Sequence, residues 1–130
     1  MNHPLEQAAP RVLIVEDNPI NMKLAADVLE ADGFRVERAP DAEQAKVLLE
    51  SLEPDLILTD IALPGMDGLT FVRLCKAEAR LQHVPIVALT AFAMKGDDAK
   101  ALEAGCAGYI TKPIQTRQFA AQVRKYLRNS

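Results

Sequence analysis

The residues best equipped for chemistry in this 130-residue chain stand just beyond short apolar runs. Glu16 and Asp17 follow Val12–Val15, Asp60 follows Asp55–Leu58, Thr90 follows Pro85–Leu89, and Lys112 follows Gly108–Ile110. Carboxylates gathered in one crevice need a cation, because two like charges about 4 Å apart repel by about 1 kcal/mol in water and about 4 kcal/mol at an effective dielectric of 20. Mg²⁺ suits an open acidic crevice, since it takes one or two carboxylates and keeps waters and a phosphate as its other ligands. Zinc is not indicated: His3 and His83 read as a tail and a loop residue, and Cys75 and Cys106 lack ligand spacing. With Lys112 as a point charge and Thr90 as a hydroxyl donor, the set contains the parts that accept a phosphoryl group on a carboxylate and stabilise it there. Asp60 is the expected acceptor, because the turn-rich stretch from Ala62 to Gly68 follows it and leaves its carboxylate open to incoming reagent.

These residues meet only if the chain delivers them to one edge of a sheet. The runs Val12–Val15, Phe34–Val36, Asp55–Leu58, Pro85–Leu89 and Gly108–Ile110 are short and apolar enough to be buried parallel strands. Between and after them lie segments of helical period: Met22, Ala25, Ala26 and Leu29; Ala42, Ala45, Leu48 and Leu49; Phe71, Leu74 and Cys75; Met94, Ala101, Leu102 and Ala104; Phe119, Val123, Tyr126 and Leu127. Asn18 can cap the first helix with Pro19 at its first position, Gly33 and Gly105 stand where C-caps belong, and Asp67-Gly68 opens the third. Strict alternation predicts an α/β fold, a doubly wound (βα)5 five-stranded parallel sheet with helices on both faces. In the flavodoxin-like order 2-1-3-4-5 the first strand lies between the second and third, so Glu16, Asp17 and Asp60 converge at the switch in strand order.

A composition 49% hydrophobic and 25% charged belongs to one soluble globular domain. A chain of this length hides roughly two-thirds of its unfolded surface, so it needs neither disulfides nor a structural metal, and the two cysteines read as small core residues. The net charge of −3 argues against a nucleic-acid partner. No run approaches the roughly 20 apolar residues of a membrane span and no signal peptide is present, so the expected compartment is the cytoplasm, without membrane attachment. Residues 1–10, polar with two prolines, are expected to form a flexible tail ahead of a domain at 11–130.

With these residues in hand, the sequence resembles the receiver domain of two-component response regulators over about residues 11 to 128. Val15-Glu16-Asp17-Asn18 is similar to the family's acidic pair, and the stretch from Leu58 to Gly68 to its phosphoacceptor motif. Ala88-Leu89-Thr90-Ala91 resembles the switch-threonine motif, and Gly108-Tyr109-Ile110-Thr111-Lys112-Pro113 the lysine-proline motif. The resemblance implies that Asp60 takes a phosphoryl group from a phosphohistidine of a histidine kinase or histidine phosphotransfer protein. It further implies Mg²⁺ held by Asp17, Asp60 and the backbone carbonyl of Ala62, with Glu16 acting through water. Lys112 and Thr90 would contact the phosphoryl oxygens, and Lys112-Pro113 would be cis. Thr90 and Tyr109 would act as switch residues, remodelling the face made by the fourth helix, fifth strand and fifth helix, with Phe92 to Asp98 as a mobile link. Helix one and the loop after the fifth strand would be the donor's docking surface.

The resemblance is nearest to stand-alone regulators of the cell-cycle kind and to receiver domains of hybrid histidine kinases. The methionine start and short tail favour the first, and an excised receiver domain is the alternative. Such a chain is expected to be a switch with self-catalysed phosphorylation and dephosphorylation rather than an enzyme. It would act on a downstream protein target as a monomer or weak dimer. Two positions depart from the family pattern, Ala62 and Phe92; in the family these flank the path of attacking water, so hydrolysis is expected to be slow. A hydrolase of the haloacid-dehalogenase type needs a second aspartate two residues after the first, where this chain has Ala62. A flavin or nucleotide module needs a Gly- or hydroxyl-rich phosphate loop, where Glu16-Asp17-Asn18-Pro19 would repel phosphate.

Overall fold

The computed structural model describes residues 9–63, 65–90 and 97–128. Most of the expected tail and residues 92–96 of the expected link from Phe92 to Asp98, with Met94, lie outside the described residues; Asp97 and Asp98 belong to a helix. In chain order the elements are β1 (Arg11–Val15), α1 (Pro19–Ala31), β2 (Arg35–Ala39), α2 (Ala42–Leu49), β3 (Leu56–Asp60), α3 (Gly68–Ala77), a 3₁₀ turn (Ala79–Leu81), β4 (Ile86–Thr90), α4 (Asp97–Ala104), β5 (Gly108–Thr111) and α5 (Phe119–Arg128). The five described strands form one parallel sheet in the order β2-β1-β3-β4-β5. This is the flavodoxin-like topology expected from the alternation of apolar runs and helical periods.

Burial follows position in the sheet. Leu-Ile-Leu-Thr-Asp in β3 and Ile-Val-Ala-Leu-Thr in β4 are buried throughout, because helices cover both faces. β2, read from sequence as a buried strand at Phe34–Val36, is instead an edge strand that begins one residue later and runs to Ala39. Only Ala39 of Arg-Val-Glu-Arg-Ala is buried, and the charged side chains are those an edge carries to discourage pairing with another chain.

The starts of α1, α2 and α3 are set by side-chain caps. Asn18 Oδ1 accepts from the amides of Ile20 and Asn21 with Pro19 at the first position, Asp41 accepts from Gln44, and Asp67 from Thr70. At the other end of α1, Gly33 takes φ 94°, the left-handed turn that leads the chain into β2.

Two cores flank the sheet. α2, α3 and α4 pack on one face around Phe71, Val72 and Ala101; α1 and α5 pack on the other around Leu29, Phe119 and Val123. Two expected core positions lie outside: Leu74 is 41% and Leu102 53% exposed, each at the margin of its helix's apolar stripe. Cys75 and Cys106 are buried, and burial pushes both thiols up to about 11, so they remain protonated core residues. The 3₁₀ turn was not foreseen; it brings Leu81 into the core before β4.

Arg124 ties α5 across to the end of α1. Its Nε donates to the Asp32 carboxylate at 2.8 Å, an Nη donates to the Asp32 carbonyl, and the guanidinium lies 4.4 Å from the Phe34 ring centroid. Among the described residues no helix is long and apolar enough to cross a membrane.

Candidate phosphoacceptor site

The parallel sheet brings the polar strand ends together as the strand order requires. Asp60 closes β3, and Glu16 follows β1, held by its amide donating to the Ala39 carbonyl at 3.1 Å. Asp17, one residue further, is exposed. Glu16, Asp17 and Asp60 each offer a carboxylate oxygen within 4.8 Å of the others. Glu16 and Asp60 are themselves buried, at 3% and 7% exposure, so two of the three charges are shielded from water.

Lys112 resolves that conflict. Its Nζ donates to Glu16 Oε1 at 2.6 Å and to Asp60 Oδ2 at 2.8 Å. The remaining oxygens of these two carboxylates accept from backbone amides: Asn18 to Glu16 Oε2 at 3.1 Å and Ala62 to Asp60 Oδ1 at 3.0 Å. Lys112 is placed by its own amide, which donates to the Thr90 carbonyl at 2.7 Å and continues the β4–β5 pairing one step beyond Thr90↔Thr111. The Lys112–Pro113 peptide bond is cis.

The two carboxylates share one cation. For Glu16, burial pushes the carboxyl above its ordinary value; the bonds from Lys112 and Asn18 pull the other way, and the Asp60 charge adds to the rise. For Lys112, burial works against the ammonium, but the hydrogen bonds it donates to Asp60 and Glu16, with their negative charges, outweigh it and raise the pKa. Lys112 has two anionic partners, whereas Glu16 has a share of one ammonium.

Thr90 ends β4 next to the site and is buried. Tyr109 lies in β5, where burial alternates, and its side chain is 38% exposed. Ala62 is exposed at the rim, with its amide committed to Asp60. Sequence reasoning placed Lys112 on the far strand as a contact for the phosphoryl group. Its grip on Glu16 and Asp60 across the end of β4 was missed, although the strand order and the length of a lysine together could have shown it.

An all-oxygen set with one exposed member fits Mg²⁺, which keeps waters, better than a caged calcium or a thiolate-bound zinc. Two of these carboxylates, Glu16 and Asp60, already serve the Lys112 ammonium.

The comparisons agree with this geometry. Residues 12–124 match the family described as "Response regulator receiver domain". The chain is 44% identical over 116 residues to the "Polar-differentiation response regulator DivK" of Brucella ovis, covering 89% of this chain and 94% of that protein. It superposes with TM-score 0.84 and 35% identity on the receiver domain of the sensor histidine kinase PA1611 from Pseudomonas aeruginosa, covering 92% of this chain and 98% of that one. That structure has a magnesium ion coordinated in its active site cleft. The chemotaxis response regulator CheY4 of Vibrio cholerae, at 23% identity and TM-score 0.87 over 92% of this chain and 99% of that one, shares the fold. Phosphorylation on an aspartate and magnesium binding at an acidic pocket are generic to such domains. By family match, by identity and by fold, this chain is a member of the response regulator receiver domain family.

Proposed function

We propose that Asp60 is the phosphoacceptor and that its donor is a phosphohistidine of a histidine kinase or a histidine phosphotransfer protein. One observation carries the reading: Asp60 is the residue at which the acidic cluster, the Lys112 ammonium and the Ala62 amide all converge. An Asp60 oxygen forms the new bond to phosphorus as the N–P bond of the donor breaks, and the imidazole leaves as a neutral ring after taking a proton. Asp17, Asp60 and the Ala62 carbonyl, with Glu16 acting through water, would hold a Mg²⁺ ion, which would supply neutralisation of the phosphoryl charge. Lys112 and the Thr90 hydroxyl stabilise the transferred oxygens.

A groove of about 320 Å³, lined by Asn21, Leu24, Lys112, Pro113 and Ile114, opens beside Lys112, and Ile20 stands 77% exposed on the same helix as Leu24. This apolar approach supports docking of the donor on α1 and the loop after β5. Output runs through the α4/β5/α5 face to a downstream protein, with Tyr109 as the residue that reports the state of Thr90. The protein is a switch rather than a turnover enzyme.

Incubation with acetyl phosphate and Mg²⁺ is expected to add a phosphoryl group, about 80 Da by intact mass, that is absent with EDTA and absent in the Asp60→Asn protein. A folded protein that gains no mass from acetyl phosphate or from a phosphohistidine donor overturns the reading. The phosphorylated form is expected to last for minutes rather than seconds after donor removal, because Ala62 presents no polar side chain to orient an attacking water. Loss of the added mass within seconds in Mg²⁺ buffer contradicts that expectation.

A further inference from the structure

Gly68 opens α3 and is buried, yet its backbone is not one that demands glycine, since positive φ occurs among the described glycines at Gly33, Gly65 and Gly105. What the structure needs from it is space. A Cβ built at position 68 would lie 2.2 Å from the Asp60 carbonyl oxygen, 2.7 Å from Ile61 Cα and 3.0 Å from the Ile61 carbonyl oxygen. All three are backbone atoms, so no side-chain rotation relieves the contact. The Asp60–Ile61 segment cannot retreat freely, because the Ile61 amide donates to the Leu89 carbonyl at 3.2 Å in β4. On the other side, the Ile61 carbonyl accepts from the amides of Leu63 and Gly68, at 3.2 and 2.9 Å. The next amide, that of Ala62, holds the Asp60 carboxylate.

We infer that Gly68 is a positioning residue of the phosphoacceptor site: by carrying no side chain it lets the first turn of α3 bear on the Asp60–Ile61 peptide, fixing where the Asp60 carboxylate and the Ala62 backbone stand. The helix start is itself pinned, through Asp67 accepting from the Thr70 amide at 2.9 Å and the Thr70 hydroxyl at 3.0 Å. A side chain at 68 therefore moves the strand end rather than the helix alone. The inference rests on the reading of Asp60 as acceptor.

The test compares the parent, Gly68→Ala and Gly105→Ala. Gly105 takes φ 118° with the Lys76 side chain 2.8 Å from its added Cβ, so its substitution strains the fold away from the site. Thermal midpoints, Mg²⁺ affinity by calorimetry and the rate of phosphoryl uptake from acetyl phosphate are read on each folded protein. A displacement of the acceptor by a fraction of an ångström is expected to cost Gly68→Ala about tenfold in Mg²⁺ affinity and at least as much in uptake. Gly105→Ala is expected to lose stability but keep both values. Should Gly68→Ala not fold, the pair Asp67→Ala and Asp67→Asn replaces it: asparagine retains a cap and alanine does not. Weaker Mg²⁺ binding in Asp67→Ala than in Asp67→Asn supports the inference, and equal binding overturns it. A folded Gly68→Ala within twofold of the parent in both affinity and rate also overturns it. A parent that takes up no phosphoryl group overturns the reading of Asp60, and the inference with it, before any variant is compared.

Discussion

Replacing Lys112 by methionine is expected to slow phosphoryl uptake by about 100-fold, the loss typical of removing one preorganised charge or donor from an anionic transition state. The same change removes the ammonium from Glu16 Oε1 and Asp60 Oδ2 and leaves two buried carboxylates with amide donors alone. Breaking a buried pair by deleting one partner costs about 3 kcal/mol or more, because the remaining charge has no counter-ion. Metal-free Lys112→Met should therefore melt well below the parent. Mg²⁺ should reverse the order of effects: with no ammonium left on Glu16 and Asp60, the ion should bind the variant more tightly and raise its thermal midpoint further than it raises the parent's. Melting curves with and without Mg²⁺, alongside a time course of intact mass, measure all three. A variant that melts with the parent in EDTA would show that Lys112 does not neutralise the resting site.

Glu16→Gln should act in the opposite sense on stability. Burial lifts the folded-state pKa of Glu16 above its ordinary 4.5, so its favourable contribution is complete below that value and is lost as pH rises through the folded-state pKa. Glutamine cannot ionise and escapes that loss; its carbonyl can still accept from Lys112, Asp60 keeps its own bond to the ammonium, and the bond from the Asn18 amide to the second oxygen is given up. At pH 7 without metal the variant is therefore expected to be more stable than the parent, with the advantage vanishing as pH falls from the folded-state value toward 4.5. The Lys112 contribution does not confuse the comparison: its raised pKa means its stabilisation persists at neutral pH and is lost only above 10.5. Mg²⁺ affinity should fall by about tenfold, as for loss of a partner that acts through water on a metal. Denaturant unfolding from pH 4 to 8 in EDTA, with calorimetry for the metal, separates the two. A variant no more stable than the parent at pH 7 would place the cost of the site elsewhere. Taken together, the two substitutions would locate instability in the acidic cluster that makes the site useful.

Much of this site could be read in the sequence because the fold turns chain order into spatial order. Once Val12–Val15 and Asp55–Leu58 are recognised as parallel strands, Glu16 and Asp60 must emerge side by side, and the caps at Asn18 and Asp67 show where the helices begin. What escaped depends on packing that periodicity does not carry. Leu74 and Leu102 fit an apolar spacing yet face outward, because a helix stripe of about 100° leaves its margins undetermined. β2 was placed by the apolar pair Phe34 and Val36, although pairing with β1 runs on through Glu37, Arg38 and Ala39, whose backbone bonds as well as any other. Gly68 was legible as a turn residue beside Asp67; that it marks a close approach to Asp60 depends on how α3 docks, which no local pattern encodes.

The Arg124 contacts carry a consequence for recombining receivers. Anyone exchanging α5 between relatives to redirect output would, in this chain, also be cutting a joint: the guanidinium is seated on Asp32 and Phe34, which belong to the α1–β2 corner at the far end of the sequence. A transplanted helix lacking that arginine leaves an acidic corner and an uncovered ring behind it, whereas a donor helix that brings its own arginine needs the recipient's corner to match. The natural unit of exchange is thus not the terminal helix but the helix together with residues 32 to 34.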